Sequence, residues 1–452
     1  MKDIYMISYS VKGIKNLDKL VTLSFYKKTI TKTPDTQEYN IKGIYGMNGS
    51  GKSGLITSVE ILRKLLTDSG YLNNPIAQKN LDAIVNKKTG ELFIETEYLL
   101  EINDELLKFR YDITLLKSTS GKYVITHESL SFKKATSKRE DMDILFEVFH
   151  GEVVRLYEKE KSNEFSLFIQ NKTINLLSMA SMPALFYEKI WMLEKENNDL
   201  EKNALWGGLW ILYILGRKLY VYLDQSDNHR EYVVRNSLET YEENAEYEDK
   251  INSLMSSFFE IDTECLNVIS STGNIVPKKG YAYFEKSIKN LYEFLHIFKP
   301  ELQGIEIDKK ENHNLWICNL VMDYEDHKIH AEYESTGIKK LIQLYAYLKE
   351  MVLGGIVFID EFDSNLHDVY LCALLEYLME YGEGQLCFTT HNVGPMDVLK
   401  SRKKSIDLLS ENHNIYSWTK SGNYSPSKLY RNGMIEGSPF NVDSIDFIGV
   451  FS

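Results

Sequence analysis

The octapeptide GMNGSGKS, residues 46–53, fits the pattern G-x-x-x-x-G-K-S without a mismatch. It follows a short apolar run and precedes a helical pattern, which is the context of a phosphate-binding loop and not of a chance glycine-rich turn. In such a loop the glycines let successive backbone amides surround phosphate oxygens, assisted by the positive end of the following helix. Lys52 would then reach the β- and γ-phosphates of a nucleotide, and the Ser53 hydroxyl would bind Mg²⁺.

A pair of carboxylates, Asp360 and Glu361, follows the apolar run Ile356–Ile359. The run predicts a buried strand, and ligands of open α/β sheets bind at the carboxyl ends of the strands. We expect Asp360 to hold the Mg²⁺ shell and Glu361 to act as general base on the attacking water. An acidic surface turn would also explain the pair, but its combination with the glycine-rich loop favours catalysis. Asp363 follows in a turn, where it could face another subunit.

The segment LCFTTHN, residues 386–392, predicts a second buried strand that ends in Thr389, Thr390 and His391. A neutral imidazole at this edge of a sheet can hydrogen-bond a γ-phosphate or a catalytic water. A single histidine more often has a structural role. Here it follows the Asp–Glu strand by one strand–helix unit, and that position favours a functional role.

The segment ESTGIKKLIQLYAYL, residues 334–348, has apolar residues at steps of three and four and therefore predicts a helix packed on a core. Ser335 is a suitable helix cap, and Gly337 leaves the backbone bare where the first amides point outward. Two interpretations stay open from these residues. The segment is either an ordinary capped helix or half of a binding site for an anion.

Strand and helix patterns elsewhere supply the elements that would position these residues. Two strands precede residue 26, and a helix begins at Ser53 and ends at about Leu66. Three strand-like runs between Glu91 and Phe132 predict an antiparallel meander. Strand signals at 314–322 and 327–334 precede an alternation of strands and helices, including a helix over Val369–Tyr381, which implies a largely parallel sheet.

The middle of the chain, from about residue 140 to 300, has long charged and apolar stretches with helical spacing, such as the acidic Ser237–Phe259. It is predicted to be a helical insertion. The two ends of the chain would then build one nucleotide-binding core, so that the predicted parts are 1–139, 140–300 and 301–452.

Composition restricts the class of protein. The chain has 452 residues, 43% of them hydrophobic, and a formal net charge of −13, which suit a soluble cytoplasmic protein with sizeable cores. The acidic total argues against nucleic acid held by overall charge, although Arg402, Lys403 and Lys404 could form a local basic strip or, more ordinarily, a solvated helix face. Four isolated cysteines predict buried thiols. The apolar stretch 204–216 is too short to span a membrane.

The motifs in this order resemble the ATP-binding-cassette (ABC) type of ATPase head, which structural-maintenance-of-chromosomes (SMC) proteins, RecF-type repair ATPases and the overcoming-lysogenization-defect (OLD) family share. The segments VKGIKNLDK, GIYGMNGSGKS, ESTGIKKL, FIDEFDSNLH and TTHN are similar to the AAA-type, ABC-like ATPases of bacterial phage-defence and restriction-associated operons, as is the closing LYRNGMIEGSPFNVDSIDFIG. The resemblance implies an α/β P-loop NTPase with a mixed sheet, an antiparallel β meander and an inserted helical subdomain.

The resemblance also assigns roles by position, with ATP and Mg²⁺ as ligands. Asp360 and Glu361 match the Walker B pair, Asp363 the D-loop acid and His391 the switch histidine. Ser335 and Gly337 occupy the signature positions, although Ser-Thr-Gly departs from the transporter sequence LSGGQ. Gln170 is the candidate for the glutamine loop, with an ordinary polar loop residue as the alternative. The Walker A positions are Gly46, Asn48, Gly49, Ser50, Gly51, Lys52 and Ser53.

Three functions are compatible with these features. The leading hypothesis is an ATPase that forms a homodimer or higher homo-oligomer on ATP and acts as sensor or motor of an anti-phage system. A separate nuclease or toxin would be the effector, because only about sixty residues follow His391 and they lack the acidic pair of a TOPRIM nuclease. The alternatives are a DNA-repair or DNA-end-binding head of the RecF or SMC type, and a scaffold that binds ATP with little turnover.

Overall fold

The computed structural model describes residues 4–102, 104–157, 178–186, 204–223, 268–313, 315–419 and 424–438. The strands in these ranges are β1 (Tyr5–Lys12), β2 (Val21–Ser24), β3 (Ile41–Tyr45), β4 (Glu91–Ile102), β5 (Glu105–Lys117), β6 (Tyr123–Lys134), β7 (Asp143–Phe149), β8 (Glu152–Leu156), β9 (Leu219–Tyr222), β10 (Asn274–Pro277), β11 (Leu302–Asn312), β12 (Leu315–Tyr324), β13 (Lys328–His330), β14 (Ile356–Ile359), β15 (Gln385–Thr389), β16 (Ile406–Leu409) and β17 (Ile415–Ser417). The α-helices are α1 (Lys52–Thr67), α2 (Pro75–Ile84), α3 (Ala204–Lys218), α4 (Tyr281–Phe298), α5 (Thr336–Val352), α6 (Asp368–Tyr381), α7 (Pro395–Leu399) and α8 (Pro426–Arg431).

A six-stranded sheet with the order β17-β16-β3-β15-β14-β9 forms the centre of the fold. The five strands from β16 to β9 are parallel, and β17 is antiparallel to β16. β3, β14, β15 and β16 are buried along their whole length, as expected for strands covered on both faces. The predicted, largely parallel sheet is confirmed. The glycine-rich loop follows β3, the Asp–Glu pair follows β14, and the Thr-His segment follows β15.

A seven-stranded antiparallel sheet, β2-β1-β4-β5-β6-β7-β8, packs against α1 and α3. One core contains Val11 and Leu92 from this sheet, Leu62 from α1, Leu212 from α3 and Phe358 from β14. The helices therefore lie between the two sheets. The predicted meander is confirmed as β4–β5–β6, and the strands predicted before residue 26 are β1 and β2.

The helical character predicted for residues 140–300 is wrong for four strands in that stretch. β7 and β8 extend the antiparallel sheet, and the turn between them has positive φ at His150 (49°) and Gly151 (81°), which suits a tight hairpin. β9 lies parallel to β14 in the central sheet, and β10 pairs with β12. β9 has only four residues and follows α3 directly, so it is too short to be distinguished from the end of the helix by its pattern alone. Ser237–Phe259 and Gln170 lie outside the described residues.

The third sheet, β10-β12-β11 with β13 beside β12, packs against α4. Helix α5 joins this unit to the central sheet. Ile338 and Leu341 in its first half belong to the core of the third sheet, whereas Leu344 and Leu348 belong to the core beneath the parallel sheet. Because one rigid helix enters two cores, the position of its first turn is coupled to both.

The three basic residues at 402–404 do not lie on a helix. They form the turn that joins α7 to β16, and Lys404 has a positive φ of 53°. Arg402 donates to the Met379 carbonyl, Lys403 pairs with Glu38, and Lys404 donates to the Ser24 hydroxyl. The prediction of a solvated helix face is therefore wrong. All three cations contact other parts of the chain, which weakens the idea of a basic strip for nucleic acid.

The described cysteines are mostly buried. Cys318 and Cys387 are buried thiols, Cys372 is half-exposed, and Cys265 lies outside these ranges. No group of three or more His, Cys, Asp or Glu side chains within the described ranges could hold a metal ion. Among the helices that the structure describes, none is long and apolar enough to cross a membrane.

A buried ion pair joins β3 to β16. The Lys42 ammonium lies 2.7 Å from an Asp407 carboxylate oxygen, and the two side chains are 1% and 0% exposed. Removing one partner leaves a buried charge without compensation. We expect Lys42→Met to lower the free energy of unfolding by about 3–5 kcal/mol in urea denaturation.

The control for this prediction is Lys403→Met, because Lys403 makes an ion pair of the same length with Glu38 at 61% exposure. Its loss should stay below about 1 kcal/mol. Equal losses for the two variants would mean that the Lys42–Asp407 pair does not stabilise the junction of β3 and β16.

Candidate nucleotide-binding site

The glycine-rich loop joins β3 to α1 and has the backbone that its glycines permit. Gly51, which precedes the helix, has a φ of 107°, and a Cβ there would lie 2.3 Å from a Leu17 methyl carbon. A Cβ on Gly46 would lie 2.4 Å from the Leu409 carbonyl oxygen at the end of β16. Neither position accepts a side chain, so the backbone of the loop stays close to its surroundings.

Lys52 begins α1, and its side chain turns back into the loop. Its ammonium donates to the carbonyl oxygens of Gly46 at 2.7 Å and Met47 at 3.1 Å. Burial lowers the pKa of Lys52 from the ordinary 10.5 to about 8, while the carboxylates of Asp360, Glu361 and Asp363 act in the opposite direction. The ammonium therefore lies inside the loop and within electrostatic reach of the acidic residues that follow β14.

Two hydroxyl groups in the loop could contact a bound phosphate or metal. Ser50 Oγ is buried and has no hydrogen-bond partner among the described residues. A buried hydroxyl without a partner is unfavourable, so an acceptor or donor supplied by a ligand would stabilise it. Ser53, on the first turn of α1, is half-buried. Asn48 and Gly49 are exposed at the tip of the loop.

Thr389 connects the ends of β14 and β15. Its hydroxyl donates to an Asp360 carboxylate oxygen at 2.6 Å and accepts from the Glu361 amide at 2.8 Å. The Asp360 amide donates to the Tyr222 carbonyl of β9 at 2.9 Å. The Asp360 carboxylate is thus held in one orientation, facing the loop. The sequence marked Thr389 as a strand end but gave it no role.

Glu361 adopts a left-handed backbone with a φ of 49°, which is uncommon for any residue except glycine. Its amide is held by Thr389, and its carbonyl accepts from the Ser364 amide at 3.1 Å and from the Lys340 ammonium at 3.3 Å. Strained backbone of this kind persists where the surroundings over-determine it, and it is frequent at functional sites. Glu361 itself is half-buried.

Asp363 contacts His391, but it bonds the backbone amide of the histidine and not its imidazole. The Asp363 carboxylate accepts from the amides of His391 at 3.3 Å and Asn392 at 3.1 Å, so it fixes the loop after β15. The His391 side chain is exposed. Asp363 therefore has a structural role within its own subunit, in addition to any contact with another.

Ser335 and Gly337 occupy the start of α5. Ser335 is exposed and caps the helix, accepting from the Ile338 amide at 3.3 Å. A Cβ on Gly337 would lie 2.7 Å from the carbonyl oxygen of Asn365, in the turn that follows Glu361. The glycine is thus required by a contact within the chain, which neither interpretation from the sequence included. Thr336, between the two, is exposed.

The turn after β1 covers the glycine-rich loop and contains residues that the sequence left without a role. The Asn16 side-chain amide donates to the Gly49 carbonyl, and Leu17 packs on Gly51. Burial lowers the pKa of Lys15, and the nearby Asp360 opposes that change. Lys15 is therefore a second cation close to the Asp360 carboxylate. In the sequence this turn was part of the segment VKGIKNLDK, which contributed to the family resemblance, but none of its residues was assigned a role.

Comparison with known proteins gives one family match. A family model described as "AAA domain, putative AbiEii toxin, Type IV TA system" matches residues 224–397. The matched range contains the start of α5, Asp360, Glu361 and His391, and it begins after the glycine-rich loop. Residues 224–267 of it lie outside the described ranges. No curated protein matches the chain. The match supports an AAA-type ATPase, in agreement with the mixed α/β architecture around the loop.

The contact between Gly337 and Asn365 gives a test of the site's construction. In an ordinary helix, replacing glycine by alanine stabilises the protein by up to about 1 kcal/mol. At Gly337 the added methyl meets a backbone carbonyl, so we expect Gly337→Ala to lower the free energy of unfolding by about 1–3 kcal/mol. Denaturant unfolding of the nucleotide-free protein measures this.

The matched control is Thr336→Ala, one residue away on the exposed side of the same turn. It should change the free energy of unfolding by less than about 0.5 kcal/mol. If Gly337→Ala were stabilising, the first turn of α5 would not press on the turn after Glu361.

Proposed function

We propose that the protein is a Mg²⁺-dependent ATPase whose site combines the glycine-rich loop with Asp360 and Glu361. The observation that carries this proposal is the Lys52 ammonium, which lies inside the loop and within electrostatic reach of the carboxylates that follow β14. The buried Ser50 hydroxyl without a partner fits a phosphate ligand as well.

Each group then has a chemical role. The amides of residues 46–53 and the Lys52 ammonium hold the phosphates of ATP, with Asn48 and Gly49 at the tip of the loop and the Ser50 side chain buried. The Ser53 hydroxyl and the Asp360 carboxylate are the groups that would hold Mg²⁺. When bound, the ion neutralises charge on the phosphate oxygens.

The chain's own residues supply the rest of the reaction. Glu361 accepts a proton from, or orients, the water that attacks the γ-phosphate. His391, at the end of the neighbouring strand, is the candidate to contact that phosphate. Thr389 keeps the Asp360 carboxylate turned toward the loop, which preserves the geometry of the site between turnovers.

The exposed first turn of α5 suggests how two copies of the chain could complete each other's sites. Ser335 and Thr336 are exposed at the positive end of a 17-residue helix. In ATPases that the motif order resembles, this turn contacts the nucleotide of a second subunit. We infer a homodimer, or a higher homo-oligomer, whose assembly depends on ATP and in which Asp363 lies near the partner.

The biological role follows the same resemblance. The motifs are similar to those of phage-defence and restriction-associated ATPases, and the matching family model names a toxin system. We therefore place the protein as the sensor or motor of an anti-phage system that acts through a separate nuclease or toxin. DNA binding is compatible with this role but is not required by it.

The ATPase function predicts a specific pattern of phosphate release. Wild-type protein should release phosphate from ATP only with Mg²⁺, and Lys52→Ala should lose both nucleotide binding and turnover. Glu361→Gln should still bind ATP but turn over about 10²–10⁴-fold more slowly, since it lacks the general base. Lys122→Ala, at an exposed turn of the meander, is the control and should match wild type. Equal rates for wild type and Lys52→Ala would refute the ATPase function.

The dimer model is tested by blocking the first turn of α5. Gly337 is unsuitable for this purpose because a side chain there disturbs its own subunit, so the variant is Thr336→Arg, which keeps the Ser335 cap. In a Glu361→Gln background with Mg²⁺ and ATP, light scattering should show a dimer that Thr336→Arg converts to monomer. Ala282→Arg, on the exposed first turn of α4, should stay dimeric. A Thr336→Arg protein that dimerises normally would exclude this surface.

A further inference from the structure

Lys340 is a lysine inside the protein, with 3% of its surface exposed. It lies on α5, three residues after Gly337. Its ammonium donates to the Ser364 hydroxyl at 2.8 Å and to the Glu361 carbonyl at 3.3 Å, and it lies 4.4 Å from the centre of the Tyr222 ring. Burying an ammonium group is unfavourable unless such partners compensate it. These partners all lie at the carboxyl ends of β9 and β14.

The contact with Glu361 concerns the residue with the strained backbone. The amide side of Glu361 is fixed by Thr389 on β15, and the carbonyl side is fixed by Ser364 of its own turn and by Lys340. Of these partners, Lys340 is the one that belongs to α5. The left-handed conformation, which directs the Glu361 side chain, therefore depends on a group that is anchored to another element of the fold.

A second contact between the same two elements lies one turn away. Gly337 packs so closely on the Asn365 carbonyl that a Cβ would be 2.7 Å from it. The first two turns of α5 thus touch the 361–365 turn at both of its ends, by packing at Asn365 and by hydrogen bonds at Glu361 and Ser364. A displacement of the start of α5 cannot leave the 361–365 turn unchanged, because packed contacts of this kind are not compressible.

We propose that Lys340 is a positioning residue. From the second turn of α5 it sets the backbone of Glu361, and so it couples hydrolysis to any partner that contacts the start of that helix. The proposal rests on the ATPase function proposed above. Lys340 acts through Glu361 and touches neither nucleotide nor water itself. Its loss should leave nucleotide binding in place and should slow the step in which Glu361 handles the attacking water.

The test is Lys340→Met, which keeps a long apolar stem and removes the ammonium. We expect kcat to fall about 100-fold, the size of effect that a misplacement of about 1 Å produces, with the affinity for a fluorescent ATP analogue unchanged within about twofold. Lys349→Met, the same substitution in the last turn of α5, is the control and should keep wild-type turnover. A general loss of structure would lower affinity and turnover together, so the split between them identifies positioning.

A double variant separates action through Glu361 from an independent effect. In single-turnover experiments, Lys340→Met added to Glu361→Gln should cause no further loss, because the side chain that Lys340 positions is already inactive. If the two residues acted independently, the fold losses in rate of the two single variants would multiply in the double variant. Ser364→Ala removes one hydrogen-bond acceptor of Lys340 and adds no volume, so it should lower kcat by about 3–10-fold. It replaces Lys340→Met as the test if that variant does not fold.

Three outcomes would overturn the proposal. They are wild-type kcat in Lys340→Met or, if that variant does not fold, in Ser364→Ala; a loss of nucleotide affinity as large as the loss of kcat; and multiplicative losses in the double variant. If wild-type protein released no phosphate in a Lys52-dependent manner, the ATPase function would fail first and this proposal with it. That result is distinct from an active wild type whose Lys340 variant is equally active.

Discussion

The placement of the Lys52 ammonium is the constraint on which the account of this protein depends. It lies inside the glycine-rich loop and within electrostatic reach of the carboxylates of Asp360, Glu361 and Asp363, which belong to a segment some three hundred residues later in the chain. Only the parallel order of β3, β15 and β14 brings the two segments to one edge of a sheet. The buried Lys42–Asp407 pair fixes β3 against β16 on the other side. The central sheet therefore brings the residues of the candidate site together.

Helix α5 gives the site a connection to the rest of the molecule. Its first half belongs to the core of the third sheet, and its second half to the core beneath the central sheet. Its first turn is exposed at Ser335 and Thr336, while Gly337 and Lys340 reach the turn that contains Glu361. A surface that is open to a partner and the residues that contact the strained turn at Glu361 thus lie on adjacent turns of one helix. This arrangement makes control of turnover by assembly physically reasonable.

Much of the site could be predicted from the sequence because its signals are local. The loop 46–53 and the strand before Asp360 are short patterns whose chemistry is contained in the residue types and their order. The contacts that hold these residues are made between segments distant in the chain, and no local sequence pattern predicts them. Thr389 was marked only as the end of a strand, and Lys340 received no role from the sequence. The reason for a glycine at 337 is a carbonyl oxygen 28 residues away.

The dependence on distant contacts also explains why the strands between residues 140 and 300 were predicted to be helical. Strand β9 completes the central sheet beside β14, yet it has only four residues and follows α3 directly, with only Arg217 and Lys218 between it and the apolar stretch of that helix. The hairpin β7–β8 likewise belongs to the antiparallel sheet through its pairing with β6, which comes earlier in the chain. A strand of four residues acquires its identity from its neighbours, and those neighbours are distant in sequence.

The central claim, that Lys52 and the residues after β14 form one ATP site, is tested most directly by titrating the Lys52 ammonium. Carbon NMR of protein labelled at the lysine Cε, with the Lys52 signal assigned by Lys52→Arg, reports its protonation. We predict half-titration near pH 8 in the free protein and a clear rise when Mg²⁺ and ATP are added, since the phosphates favour the charged form. A Lys52 signal that titrates near the ordinary 10.5 and does not respond to Mg²⁺ and ATP would contradict the account.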